Sequence, residues 1–190
     1  WSFPERELVP GFVSDPHPAI SVAASSEASC EEAGRRGIGA IAFESYFGFD
    51  YLQGCIDAFR RGAAAGTSML PERNDTMGLY VASAFCHEDR GEAVRKAADV
   101  TLGYAGFIAD LYAPLAKKKS YEYLDDHMAR FLENQANMEF LTRDTPSVMV
   151  GTPQDFIDRL RHLADRRIDK DLLRLAGIEQ KDIMRTHRPT

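Results

Sequence analysis

Short apolar runs and amphipathic stretches alternate along this chain, and that alternation limits the fold more than any single motif. The first run, Ile20 to Ala24, leads into "SSEASCEEAGRRG". There Ser26 suits an N-cap, Glu27, Glu31 and Glu32 lie towards the positive helix end, Arg35 and Arg36 towards the negative end, and Gly37 suits a stop. The second run, "IGAIAFE" (38–44), precedes a stretch with Leu52, Ile56 and Phe59 at helical spacing. The third, "DTMGLYVASAFC" (75–86), predicts a single strand before a long helix from His87 to Tyr112. Residues 113–147 read as an irregular helical insertion. A helix capped by Thr152, with Pro153 at its first position, then carries an apolar stripe of Phe156, Ile157, Leu160 and Leu163. "DKDLLRLAGI" (169–178) predicts a fourth strand, and "EQKDIMRTHRPT" (179–190) the start of a last helix. Units of this kind predict a parallel α/β sheet with helical crossovers. Four strands are half of what an eight-stranded (β/α) barrel of TIM type needs.

Charge and cysteine usage narrow the function. The formal net charge is −6, and lysines and arginines are scattered rather than gathered, which argues against nucleic acid as a partner. The apolar runs are too short to span a bilayer, and no signal-peptide pattern opens the chain. Cys30, Cys55 and Cys86 are odd in number and widely spaced, as expected of reduced thiols in a cytoplasmic protein. The opening "WSFPERELVPGF" lacks a starting Met, and three prolines fall within the first sixteen residues. It is expected to be a connecting loop in a chain entered partway through.

Ligands of parallel α/β proteins collect at the carboxyl ends of the strands. Ser25 and Ser26 occupy such an end, where free helix N–H groups and two hydroxyls suit a phosphate. The plainer alternative is that Ser26 only caps the helix. Likewise the small residues from Gly37 to Ala42 either admit a flat ligand or allow close helix–sheet packing. Of the histidines, His17 in "PHP" reads as structural, His162 as solvated, and His187 as part of the tail. His87 and His127 are candidate substrate-side groups. In "DDHMARFL" adjacent positions on a helix diverge, so no metal site is expected there.

Two segments, "PHPAISVAASSEASCEEAGRRGIGAIAF" and "VMVGTPQDFIDRLRHLADRRIDKDLLRL", resemble motifs of the bacterial luciferase-like flavin monooxygenases. The similarity runs from about Phe3 to Met184 and implies that residues 1–190 form the C-terminal half of a (β/α)8 barrel, with an insertion near 113–147. It further implies that the loop at Ala24, Ser25 and Ser26, with Ser29 one turn on, holds the phosphate of reduced FMN, and that Phe43 and Glu44 lie beside the flavin ring. Glu44 departs from the pattern, because a carboxylate disfavours an anionic reduced flavin; facing solvent or binding substrate are its alternatives. Gly151 to Pro153 reads as a structural turn. The implied activity is monooxygenation of a small organic substrate with O2, the reduced flavin coming from a partner flavin reductase. The alternatives are an F420-dependent hydride-transfer enzyme of the same fold, or a shortened non-catalytic flavin-binding relative. The acid–base and basic phosphate contacts of the family would come from its first four strands. Unpaired edges of a half barrel predict a homo- or hetero-dimer.

Overall fold

The computed structural model describes residues 2, 4–7 and 9–174; the expected last helix and the end of the expected fourth strand lie outside them. Strand β1 (Ser21–Ala24) leads through the serine pair into helix α1 (Glu27–Arg35), and β2 (Gly39–Ala42) into α2 (Phe49–Ala65). Then follow β3 (Met77–Val81), β4 (Ser83–Cys86), α3 (Arg90–Ala116), a 3-10 segment (Lys119–Leu124), α4 (Asp125–Asn134) and α5 (Met138–Asp144). Strand β5 (Val148–Gly151), α6 (Pro153–Asp165) and β6 (Lys170–Leu173) complete the described chain.

All strand pairs are parallel. One sheet runs β1-β2-β3-β6, with Ala23 opposite Ile41, Ile41 opposite Gly78, and Tyr80 opposite Leu172. The expected third strand is in fact two. It breaks at Ala82, whose N–H turns to the Ser147 carbonyl, and β4 then pairs with β5 in a second sheet. Strand β5 was not expected. It is four residues long and fully buried, and its sequence "VMVG" has no alternation to mark it apart from the helical stretch before it. The parallel α/β architecture is that of a TIM-type barrel, and the described strands do not close it.

One face of the main sheet is covered by helices and the other is open. Ala40, Ala42, Met77 and Leu79 are buried beneath α1 and α2, so the small residues of β2 serve close packing. On the opposite face Ile41, Phe43 and Tyr80 are only partly covered, and Leu172 is exposed. Strand β1, expected to be buried, pairs with β2 alone and leaves Val22 and Ala23 exposed. The stripe on α6 is likewise open: Leu163 is buried, while Ile157 and Leu160 are exposed. Helices α1 and α2 meet backbone to backbone. A Cβ at Gly34 would stand 2.2 Å from the Phe59 carbonyl oxygen, and one at Gly62 would stand 2.0 Å from that of Glu31. No other residue type fits there without parting the helices. Cys30 and Cys55 are buried free thiols at this same contact and hydrogen-bond to each other.

Candidate active site

The β1–α1 junction is built by its serines. Ser26, extended at φ −139°, accepts a hydrogen bond from the Ser29 N–H on its side chain, and Ser29 Oγ accepts from the Ser26 N–H at 3.1 Å. This reciprocal box fixes the entry of α1 and leaves the first-turn N–H groups of Glu27 and Ala28 without helical partners. The capping role of Ser26 is therefore present in full. Among the described residues no lysine or arginine side chain hydrogen-bonds to Ser25, Ser26 or Ser29.

An aromatic wall stands beside this junction. Tyr51, from the first turn of α2, donates its hydroxyl to the Ser25 carbonyl at 2.7 Å, and the Tyr123 hydroxyl hydrogen-bonds to the Ser25 side chain. Burial raises the pKa of Tyr51 and keeps the phenol neutral. His127, from α4, stacks on Phe47 at 5.4 Å and meets Tyr51 edge-on at 4.8 Å. Helix α3 takes in residues 113–116 of the expected insertion, and the segment after it folds onto the carboxyl ends of the strands and brings His127 to Ser25 through Tyr51. His87 is placed elsewhere. Its N–H bonds to the Gly151 carbonyl, and its Nδ1 accepts from the Asp89 N–H at 3.0 Å, at the start of α3. It makes no hydrogen bond or ring contact with the residues of the serine junction.

Phe43, just past β2, meets Tyr80 edge-on at 5.4 Å and Tyr46 at 6.2 Å, on the open side of the sheet. Glu44 points the other way and is completely buried. One carboxylate oxygen accepts from the Gly48 N–H at 3.0 Å; the other accepts from the Ser147 N–H at 3.0 Å and from the Ser147 hydroxyl. Burial raises its pKa, and the donors of Ser147, Gly48 and Phe47 oppose that rise. This clasp holds a strained loop: Ser45 and Tyr46 are left-handed at φ 54° and 65°, a conformation non-glycine residues rarely adopt. Tyr46 is buried, stacks on Phe131 at 5.3 Å, and its hydroxyl has no hydrogen-bond partner among the described residues. Sequence reasoning missed the clasp and the Tyr51 contact. The one local signal was a lone carboxylate inside "IAFESYFGF", a position that demands buried partners.

Gly151 to Pro153 builds the start of α6. Thr152 and Asp155 form a capping box, Pro153 takes the first turn, and Arg90 pairs with Asp155 at 2.8 Å. No group of three His, Cys, Asp or Glu that could hold a metal occurs among the described residues. No helix among them is long and apolar enough to cross a membrane.

Parallel strands with helical crossovers, and a helix start presented at the strand ends, are the layout of α/β proteins whose ligands collect at the carboxyl ends of the strands. The family model for luciferase-like monooxygenases matches residues 2–170, and the chain belongs to that family. Monooxygenase RslO1 from Streptomyces bottropensis is similar in fold at 19% identity, with a TM-score of 0.58, over 94% of this chain and 47% of its own. The oxygenating constituent of 3,6-diketocamphane monooxygenase from Pseudomonas putida, a type II Baeyer–Villiger monooxygenase in complex with FMN, gives 19% identity and a TM-score of 0.57. That match covers 90% of this chain and 45% of the other. Apo-MsnO8 gives 19% and 0.58 over 95% and 51%. The chain therefore spans about half the length of these solved relatives. No functionally curated protein matches its sequence.

Proposed function

We propose that the chain is the C-terminal, phosphate-holding half of a flavin-dependent monooxygenase that uses reduced FMN and O2 to oxygenate a small organic substrate. The observation that carries this is the serine junction: a helix start with unpartnered first-turn N–H groups, at the carboxyl edge of the sheet, walled by Tyr51 and His127. Those N–H groups fit a phosphate, joined by the Ser25 and Ser26 hydroxyls once these turn from Tyr123 and Ser29, while Ala24 ends the strand and Ser29 fixes the Ser26 side chain. Phe43 and Tyr80, on the open side of the sheet, offer apolar aromatic contacts to the ring. Glu44, sealed in its clasp, acts as a positioning residue for the Phe43 and Tyr46 loop. When bound, reduced FMN supplies the electrons that activate O2, one oxygen atom going to substrate and the other to water. The protein's part is to hold, to orient and to exclude water, with His127 on the substrate side and a flavin reductase as source of the reduced cofactor.

Fluorescence titration with FMN tests the reading. Replacing Ser25 and Ser26 together by Ala removes two hydroxyls at about 1 kcal/mol or more each, so affinity should fall roughly ten-fold or more. Because Ser26 is also a cap, T152A serves as the control for cap loss alone and should leave flavin affinity unchanged. Unaltered affinity in the double variant would reduce the serines to caps. Binding of F420 with no binding of FMN would move the assignment to hydride transfer.

A further inference from the structure

A cavity of about 400 Å³ opens between the start of α2, α5, β5 and α6, and shares no residue with the serine junction. Its volume is in the range of small-molecule sites. Val148 and Val150, which share one face of β5, form an apolar wall with Phe156 and Phe49. Above that wall the charge is lopsided. Asp155 is engaged by Arg90 and the Thr152 cap, and Asp158 by Gln154 and Arg161. Arg143 is paired with Glu139 and Asp144. Arg159 has no such ion-pair partner among the described residues. It donates to the carbonyls of Thr142 at 2.7 Å and Thr145 at 2.8 Å, and its guanidinium lies 4.9 Å from the centre of the Phe49 ring. Those bonds leave part of its five-donor fork unused. Glu44, Asp144 and Asp155 offset its charge from beyond ion-pair distance, while burial lowers its pKa.

Two further groups crowd the same ring. Arg166 lies 5.7 Å from its centre, and the His162 imidazole meets it edge-on at 5.0 Å. The pKa of His162 is lowered by burial and then by Arg166 and Arg159, with Asp165 opposing. His162 is thus more than the solvated helix residue its sequence position suggested. Arg159 and His162 line the cavity beside its apolar wall, with Arg166 outside the lining on the same phenyl ring, a chemistry suited to an anion with a hydrophobic body.

We infer that this cavity is a second ligand site, independent of the flavin junction, that binds a small apolar carboxylate with its charge at Arg159 and His162 and its body against Val148, Val150 and Phe156. Calorimetric titration with sodium benzoate tests it, with benzyl alcohol as the uncharged probe of similar shape. Benzoate should bind saturably, and at least roughly ten-fold tighter than the alcohol. H162E introduces a negative charge at an exposed helical position and should weaken benzoate roughly ten-fold or more. R159Q should abolish binding; if it does not fold, H162E decides alone. In NMR titrations saturating benzoate should raise the pKa of His162, since an anion relieves the repulsion from Arg159 and Arg166. Equal binding of the two probes, unchanged affinity in H162E, or no saturable benzoate binding up to ~10 mM would overturn the assignment. FMN titration of the same samples reads the serine junction separately, so failure of one site is distinguishable from failure of the other.

Discussion

Two strand-to-helix junctions, one before α1 and one before α6, follow the same plan with opposite electrostatic results. Each ends a short parallel strand, places a hydroxyl residue at the N-cap and closes a reciprocal box with the residue three positions on. Before α1 that third residue is Ser29, and the box is made entirely of neutral hydroxyls. Before α6 it is Asp155, whose carboxylate takes both the N–H and the hydroxyl of Thr152, and whose charge is met by Arg90. The positive end of α6 already holds its anion. The N-cap and box of α1 supply none, which leaves that helix start able to receive one from outside. What separates the two boxes is the side chain at the third position, neutral in Ser29 and charged in Asp155, and not the presence of a cap.

The most direct way to break this comparison is to convert one junction into the other. Ser29→Asp should strengthen the α1 cap and raise thermal stability slightly, yet put a negative charge where the flavin phosphate would sit. At a few ångströms that repulsion should lower FMN affinity by roughly ten-fold or more in a fluorescence titration. Retained affinity would show that phosphate does not approach α1. In the opposite direction, D155A strips α6 of its anion and its box. Chemical denaturation should show a loss of about 1–2 kcal/mol, with flavin affinity unchanged.

Acid should separate the two junctions more gently. Burial works to raise the pKa of Asp155, but the Thr152 donors and Arg90 outweigh it and hold the group below the ordinary carboxylate range. A depressed folded-state pKa means that the stabilisation is complete above the unfolded value of about 3.9, and is lost as pH falls through the folded one. Wild type should therefore lose stability faster than D155N on acidification below about pH 4. S29A should run parallel to wild type, since its box has no titrating group. Parallel curves for wild type and D155N would remove Asp155 from the acid limb. The smallest effect belongs to Ser25→Ala, which leaves the cap intact and removes one hydroxyl; a few-fold weaker FMN binding is expected, at about 1 kcal/mol.

The boxes closed by Ser29 and Asp155 emerged with the structure, but both caps, Ser26 and Thr152, were legible in the sequence because a cap stands next to the helix it starts. So was the parallel α/β plan, which rests on runs a few residues long. What escaped was long-range. Glu44 and Ser147 lie 103 positions apart, and nothing near either residue announces the other. The division of the third strand at Ala82 depends on the Ser147 carbonyl, and β5 on the pairing that this division permits. The approach of His127 to Tyr51 required the insertion to fold back over the sheet, a matter of tertiary packing that local periodicity does not encode. The cavity at Arg159 was hidden for a related reason: on helical spacing alone, His162 and Arg159 look like members of a solvated face.

The backbone contact between α1 and α2 has a consequence for how the serine junction works. At Gly34 and Gly62 no side chain separates the two backbones, which ties the helices closely together. Ser26 rides on one helix, and Tyr51, which grips the Ser25 carbonyl, rides on the other. On the proposed reading, the mouth of the junction would be set before a ligand arrives, and little ordering entropy would be lost on binding. Such a site would select by fit and charge rather than by closing, so a bulky residue at Gly34 or Gly62 would act at a distance, widening the jaw without touching a bound phosphate.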